Sequence, residues 1–335
     1  MNYRRLGNTD LFVSEIGFGC QSIGGGLYYK NNVESIKTLQ EAFDCGVNFF
    51  DTSDHYSQGE SERIIGKAFK KNRDKVIIGT KAGTSYTPLT NIILKTRPLL
   101  KPFSSFFHSL KIPLHRMRAK QKRSEFSSKY LIDAAERSLK RLQTDYIDLF
   151  QLHKPSLSVL EEGEFIEPLD KLKQQGKIRY YGISCANNRD AITCFNIPGI
   201  SSVQITFNLL FKEYVEEILS SAQVKGVGVV ARNPRAQGHL TNELSDILAE
   251  TYANDKKEFD EAKERARKFL FLVKPERTLS QSALKYILRF NQISSVIPRA
   301  VNRIQLKENL GTLTSPELDK EDIERISSKV DNVSK

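Results

Sequence analysis

An α/β fold, a (β/α)8 TIM barrel with an N-terminal β-hairpin and a long insertion after the third strand, is the class this chain predicts. Three observations lead to it. Apolar runs of about five to seven residues alternate with longer amphipathic stretches, so strands and helices alternate and the strands are buried on both faces. Eight such runs occur within 335 residues, which suits a closed barrel better than an open sheet. No G-x-G-x-x-G follows any of them, which disfavours a dinucleotide-binding open sheet.

In chain order, Tyr3 to Val13 reads as a hairpin that would plug the bottom of the barrel. Ile16 to Cys20 is the first strand, followed by a helical pattern from Val33 to Cys45. Val47 to Asp51 is the second, followed by Ser61 to Lys71, and Val76 to Lys81 is the third. Residues 84–124 then interrupt the alternation. It resumes with a helix near Ser128 to Leu142 and strands at Tyr146 to His153, Ile178 to Cys185, Val203 to Asn208, Val227 to Ala231 and Ser294 to Pro298. No repeat or low-complexity linker divides the chain, which predicts one domain over residues 1–335.

Composition excludes the disordered, collagenous and disulfide-dense classes: 39% of residues are hydrophobic and 27% charged, with 19 Gly and 11 Pro. No stretch approaches the roughly 20 apolar residues of a membrane span, and the opening residues do not form an apolar leader, so a cytoplasmic location is expected. The cysteines, Cys20, Cys45, Cys185 and Cys194, lack paired metal spacing; buried free thiols are expected, with no metal site.

The net charge of +11 is concentrated in the insertion. Lys95, Arg97, Lys101, Lys111, Arg116, Arg118, Lys120, Lys122 and Arg123 lie there with no acidic residue, and the remainder carries only +2. Within the insertion Phe103, Phe106, Phe107 and Leu110 have helical spacing, with Pro102 suited to a first turn. The plainest reading packs that stripe on the barrel rim and leaves the charges solvated. The functional reading is recognition of an anionic or carrier-bound substrate, and contact with an anionic membrane is a third. Nucleic acid is disfavoured, because nine basic residues without a binding fold supply only non-specific attraction.

Barrel enzymes take their reacting groups from the C-terminal ends of strands. Asp51 ends the second strand with Tyr56 in the following loop, Lys81 ends the third, and His153 ends the fourth. A lysine beside a tyrosine stabilises the phenolate, a carboxylate keeps that lysine charged, and a neutral histidine can orient a substrate carbonyl. Each alone is as readily a cap or a satisfied core group. Four at successive strand ends make a proton-transfer site.

With those residues in place, the sequence resembles the aldo-keto reductase family nearly end to end. Arg5-Leu6-Gly7 and Ile16-Gly17-Phe18-Gly19 are similar to its opening. Gly46-Val47-Asn48-Phe49-Phe50-Asp51-Thr52-Ser53-Asp54-His55-Tyr56 with Gly59-Glu60-Ser61-Glu62 is similar to its most specific signature. The resemblance implies a tetrad of Asp51, Tyr56, Lys81 and His153, with Tyr56 as general acid and base. It also implies NADP(H), or alternatively NAD(H), bound at Gly19, Cys20, Ser184, Gln204, Arg232, Arg299, Arg303, Gln305 and Asn309.

Three departures stand out. Cys185 replaces the asparagine that usually follows Ser184, with Asn187 or Asn188 as nearby substitutes; Phe207 replaces a tyrosine before Asn208; and Arg232 stands where many members carry an aromatic. The function implied is NAD(P)(H)-dependent reduction of an aldehyde or ketone, or oxidation of the corresponding alcohol or sugar. The alternative is a cofactor-binding regulatory subunit with little turnover.

Overall fold

The structure is a computed structural model and describes residues 1–24, 32–86, 122–241 and 256–328. The stretch Ile77 to Ala82 is buried at every position, as a strand between a barrel interior and a layer of helices must be. The N-terminal strands β1 (Tyr3–Arg5) and β2 (Phe12–Ser14) form the hairpin. Barrel strands are β3 (Phe18–Gly19), β4 (Phe49–Asp51), β5 (Ile77–Ala82), β8 (Ile147–His153), β9 (Ile178–Ser184), β10 (Ile200–Thr206), β11 (Gly228–Arg232) and β12 (Ile293–Ile297). A small ribbon of β6 (Thr84–Tyr86) and β7 (Lys122–Ser124) lies between β5 and β8 in sequence.

The eight barrel strands pair in parallel in chain order. The circle closes where Ile16 bridges Val296 and Gly19 bridges Arg299, with the Gly17 N–H donating to the Val296 carbonyl at 2.8 Å. This is the predicted (β/α)8 barrel. Helices cover its outside, among them α1 (Asn32–Asp44), α2 (Glu60–Phe69) and α3 (Ser128–Leu142). Among the described residues no helix is long and apolar enough to cross a membrane.

Side chains alternate along each strand, and that alternation decides what reaches the mouth. Phe49, Ile77, Leu149 and Val230 fill the interior with Leu6, Leu11 and Val13 of the hairpin. Their neighbours Phe50, Ile78, Phe150 and Val229 pack outward into the cluster that includes the helices. Asp51, Lys81, Gln151, His153, Gln204 and Arg232 share the inward set's parity, so they line the interior above that apolar layer.

The hairpin closes the opposite end. Tyr3 pairs with Ser14, the Asn8 N–H donates to the Gly226 carbonyl at 2.7 Å, and Gly7 sits at φ +55. A Cβ on Gly7 would lie 2.4 Å from the Gly228 nitrogen, so the plug needs glycine for its backbone conformation and for its close approach.

Some boundaries differ from the sequence reading. The sixth strand begins at Ile200 and ends at Thr206, because Asn208 and Phe211 exchange backbone hydrogen bonds at 3.1 Å and draw Phe207 and Asn208 into a turn. Cys20 opens a short 3-10 turn and is not part of the first strand. Cys45, expected buried, is exposed past the end of α1, whereas Cys20, Cys185 and Cys194 are buried and all four are free. Of the insertion, Thr84 pairs with Ser124. The apolar stripe from Phe103 to Leu110 and the basic residues from Lys95 to Lys120 lie outside the described residues.

Candidate active site

Asp51 ends β4, Lys81 lies one residue before the end of β5, and His153 ends β8. A 3-10 turn from Tyr56 to Gly59 sets Tyr56 over the same opening. Lys81 is fully buried and donates from Nζ to Asp51 Oδ2 at 2.5 Å and to the Thr52 carbonyl at 2.9 Å. That Nζ lies 5.4 Å from the centre of the Tyr56 ring. The Tyr56 and His153 rings meet edge to face with centroids 6.1 Å apart. The four residues singled out from the sequence therefore converge on one mouth.

Electrostatics give them distinct states. Loss of water pushes the Tyr56 phenol up, and the Lys81 cation pulls it down without cancelling the rise. Burial is the larger influence, so the proton stays on Tyr56 at neutral pH. Burial, then the neighbouring His55 and Lys81, hold His153 well below the usual imidazole range. Its ring is neutral where most enzymes work.

Several contacts of these four residues are not legible in the sequence, although Gln204 itself is among the residues expected at the cofactor. Gln151 and Gln204 both donate to Asp51 Oδ1, at 3.1 and 2.9 Å, and so fix the carboxylate that holds Lys81. Gln151 stands two residues before His153, so strand periodicity could have found it. Ser53 Oγ lies 2.9 Å from His55 Nδ1 and 3.2 Å from His153 Nδ1, a relation that no spacing reveals. Glu62 is wholly buried, accepts from Thr80 at 2.6 Å and pairs with Arg141 at 2.5 Å. It ties α2 and α3 to the strand that carries Lys81.

The residues expected at a cofactor run round the rest of the rim. Ser184 Oγ donates to Gln204 Oε1 at 3.0 Å across β9 and β10. Arg232, at the end of β11, donates from Nη2 to the Cys185 carbonyl at 2.9 Å. Gly19 packs against the segment that leads to Arg299, its N–H donating to the Pro298 carbonyl at 3.0 Å. The Cys20 thiol packs in the apolar cluster that includes the helices and is close enough to Asp51, Lys81 and Tyr56 to interact with their charges.

Past β12, the helix Arg303–Gly311 starts with the Asn302 side chain accepting from the Gln305 N–H at 2.9 Å. Gln305 Oε1 accepts from the Val301 N–H at 3.0 Å, and Asn309 Nδ2 reaches the Arg299 carbonyl at 3.4 Å. Arg303 is ion-paired with Glu41 of α1, which the sequence did not foretell. Neither nearby asparagine faces the place left by Cys185. Asn187 caps the next helix by accepting from the Asp190 N–H at 2.9 Å, and Asn188 donates to the Thr206 and Glu213 carbonyls.

This donor set suits a nicotinamide dinucleotide. Asn309 Oδ1 and Arg232 Nε are buried without a hydrogen-bond partner, an acceptor at one end of the rim and a cationic donor at the other. The Ser184 hydroxyl keeps lone pairs to accept from a carboxamide. The N-terminus of the helix at Arg303 is suited to a phosphate.

Comparison with known proteins bears on the family and the fold. The model of the aldo/keto reductase family matches residues 15–331. The chain is 33% identical to the uncharacterized oxidoreductase YqkF of Bacillus subtilis, over 98% of this chain and 96% of that protein. It is 28% identical to L-galactose dehydrogenase of Arabidopsis thaliana, over 98% and 94% of the two chains. Among solved structures, the holo form of the aldo-keto reductase AKR11C1 from Bacillus halodurans superimposes with a TM-score of 0.76 at 29% identity, covering 98% of this chain and 96% of the other.

Proposed function

The chain belongs to the aldo-keto reductase family, an oxidoreductase family that generally uses NAD(P)H for carbonyl reduction, and from that premise we propose how this member works. It reduces an aldehyde or ketone, or oxidises the corresponding alcohol or sugar, with NADP(H) as the favoured cofactor and Tyr56 as general acid and base. The cofactor, when bound, supplies or accepts the hydride. The observation that carries the reading is the convergence of a buried Lys81–Asp51 pair, a Tyr56 ring 5.4 Å from that ammonium, and a neutral His153.

Each group has a task that its surroundings support. Asp51, fixed by Gln151 and Gln204, keeps Lys81 charged without water. Lys81 stabilises the phenolate left when Tyr56 gives its proton to the substrate oxygen, while burial keeps that proton in place beforehand. His153 orients the carbonyl from Nε2–H, a tautomer in which the single Ser53 proton goes to His153 Nδ1 in preference to the Lys81 carbonyl, Asp54 or His55 Nδ1, all also within its reach. Ser53 is in that sense a positioning residue. The substrate is a small carbonyl compound or sugar, and the basic insertion favours an anionic or carrier-bound one.

The test is NADPH oxidation by wild type and Tyr56→Phe over a panel of aldehydes, ketones and sugars. Wild-type rates well above the variant on at least one substrate are expected. Equal, slow rates on every substrate with tight NADPH binding would replace this reading with that of a regulatory binding subunit.

A further inference from the structure

Arg232 has one satisfied end and one orphaned one. Its Nη2 donates across the top of β10 to the Cys185 carbonyl at 2.9 Å, while its Nε is buried with no hydrogen-bond partner. Its inward parity on β11, shared with Val230 of the interior, brings the guanidinium into the mouth near Tyr56 and Asp51. Burial, the largest influence, lowers the guanidinium's pKa, yet an arginine remains charged at neutral pH. It spans the tops of the strands that carry Ser184 and Gln204, the pair suited to a carboxamide.

A nicotinamide ring held by that pair, and facing a carbonyl between Tyr56 and His153, would lie on the side of the mouth where Arg232 stands. The two oxidation states of the ring differ by one positive charge: the dihydropyridine is neutral and the pyridinium is cationic. A buried cation fixed at that side of the mouth would oppose only the second. Resting on the cofactor reading above, we propose that Arg232 makes the site discriminate by oxidation state, holding the reduced nicotinamide more tightly than the oxidised one. The consequence for carbonyl reduction is easier release of the oxidised cofactor. For alcohol oxidation it is weaker binding of the cofactor that the reaction consumes.

The experiment is equilibrium calorimetry of NADPH and NADP+, and of NADH and NAD+, on wild type, Arg232→Gln and Arg232→Lys. Wild type should favour the reduced form by about tenfold or more, the change that ~1.4 kcal/mol produces. Arg232→Gln should lose most of that ratio, chiefly through tighter binding of the oxidised form, and Arg232→Lys should keep it because the charge remains. Arg303→Ala should leave the ratio unaltered, since both oxidation states share the same adenosine end.

A wild-type ratio below about two would overturn the proposal without any variant, so it does not depend on the glutamine protein folding. An unchanged ratio in a folded Arg232→Gln would overturn it as well. If wild type binds neither oxidation state of either cofactor, the cofactor reading itself fails and takes this proposal with it.

Discussion

Tyr56 presents opposing influences on one hydroxyl: burial raises its pKa and Lys81 lowers it, with burial the larger. Removing that hydroxyl should therefore abolish proton transfer and leave the rim of nucleotide contacts intact. Tyr56→Phe is expected to lower kcat by roughly 10²- to 10⁴-fold, the usual contribution of a general acid, with cofactor affinity little changed by calorimetry. Retained turnover would remove Tyr56 from the chemistry. His153 gives a second, independent readout. Its folded pKa lies well below the ordinary value of 6.5, so below that pH the unfolded chain binds a proton that the folded one refuses. Stability due to this group is present above pH 6.5 and is lost as pH falls, by up to about 1.4 kcal/mol per unit. The ring is only partly exposed, and the figure is the ceiling for a single titrating group. His153→Gln should flatten the fall in melting temperature between about pH 7.5 and pH 5.5; an unchanged slope would mean that His153 titrates alike in both states.

Strands were the most legible elements, because burial on both faces writes an apolar run into the sequence whatever lies at its ends. Ile77 to Ala82 and Ile147 to His153 could be read almost to the residue, and Asp51, Lys81 and His153 followed because a polar side chain closing such a run is conspicuous. Partners made by tertiary contact were not legible. Ser53 touches His153 100 positions away, and the Arg303–Glu41 pair spans 262; neither has a local signature. That pair offers a test of cofactor choice. If Arg303 receives a 2′-phosphate, Glu41 competes with it, so Glu41→Gln should tighten NADPH and leave NADH unaffected. Arg303→Ala should weaken NADPH alone, because only NADPH carries the 2′-phosphate. Equal effects on both cofactors would assign the pair to holding helices together. The hairpin supplies a structural counterpart. Gly7→Ala forces a Cβ to within 2.4 Å of backbone at a positive φ, and should cost about 1 to 3 kcal/mol in chemical denaturation.

At the scale of the molecule, the barrel is close to neutral and its surplus charge belongs to one insertion. The composition alone, at +11, could have suggested a nucleic-acid protein; only the position of the charge along the chain argues otherwise. The ends of the insertion are anchored beside the chemistry. β6 follows Lys81 by three residues, and Tyr130 Oη donates to the Thr84 carbonyl at 3.0 Å and to Asp54 Oδ2 at 3.4 Å, joining the insertion's base to the loop that leads to Tyr56. On the proposed reading the insertion's positive charge acts on what approaches the mouth, with a reach set by screening, about 8 to 10 Å at moderate salt. Raising ionic strength should therefore increase KM for a carboxylate or phosphate-bearing aldehyde more than for a neutral one. Neutralising Lys111, Arg116, Arg118 and Lys120 together should do the same at low salt, with kcat on the neutral aldehyde unchanged. Identical KM values and salt dependence for charged and neutral substrates in that variant would leave the insertion a solvated segment. Loss of binding to anionic vesicles, with kinetics intact, would turn its charge toward a membrane surface.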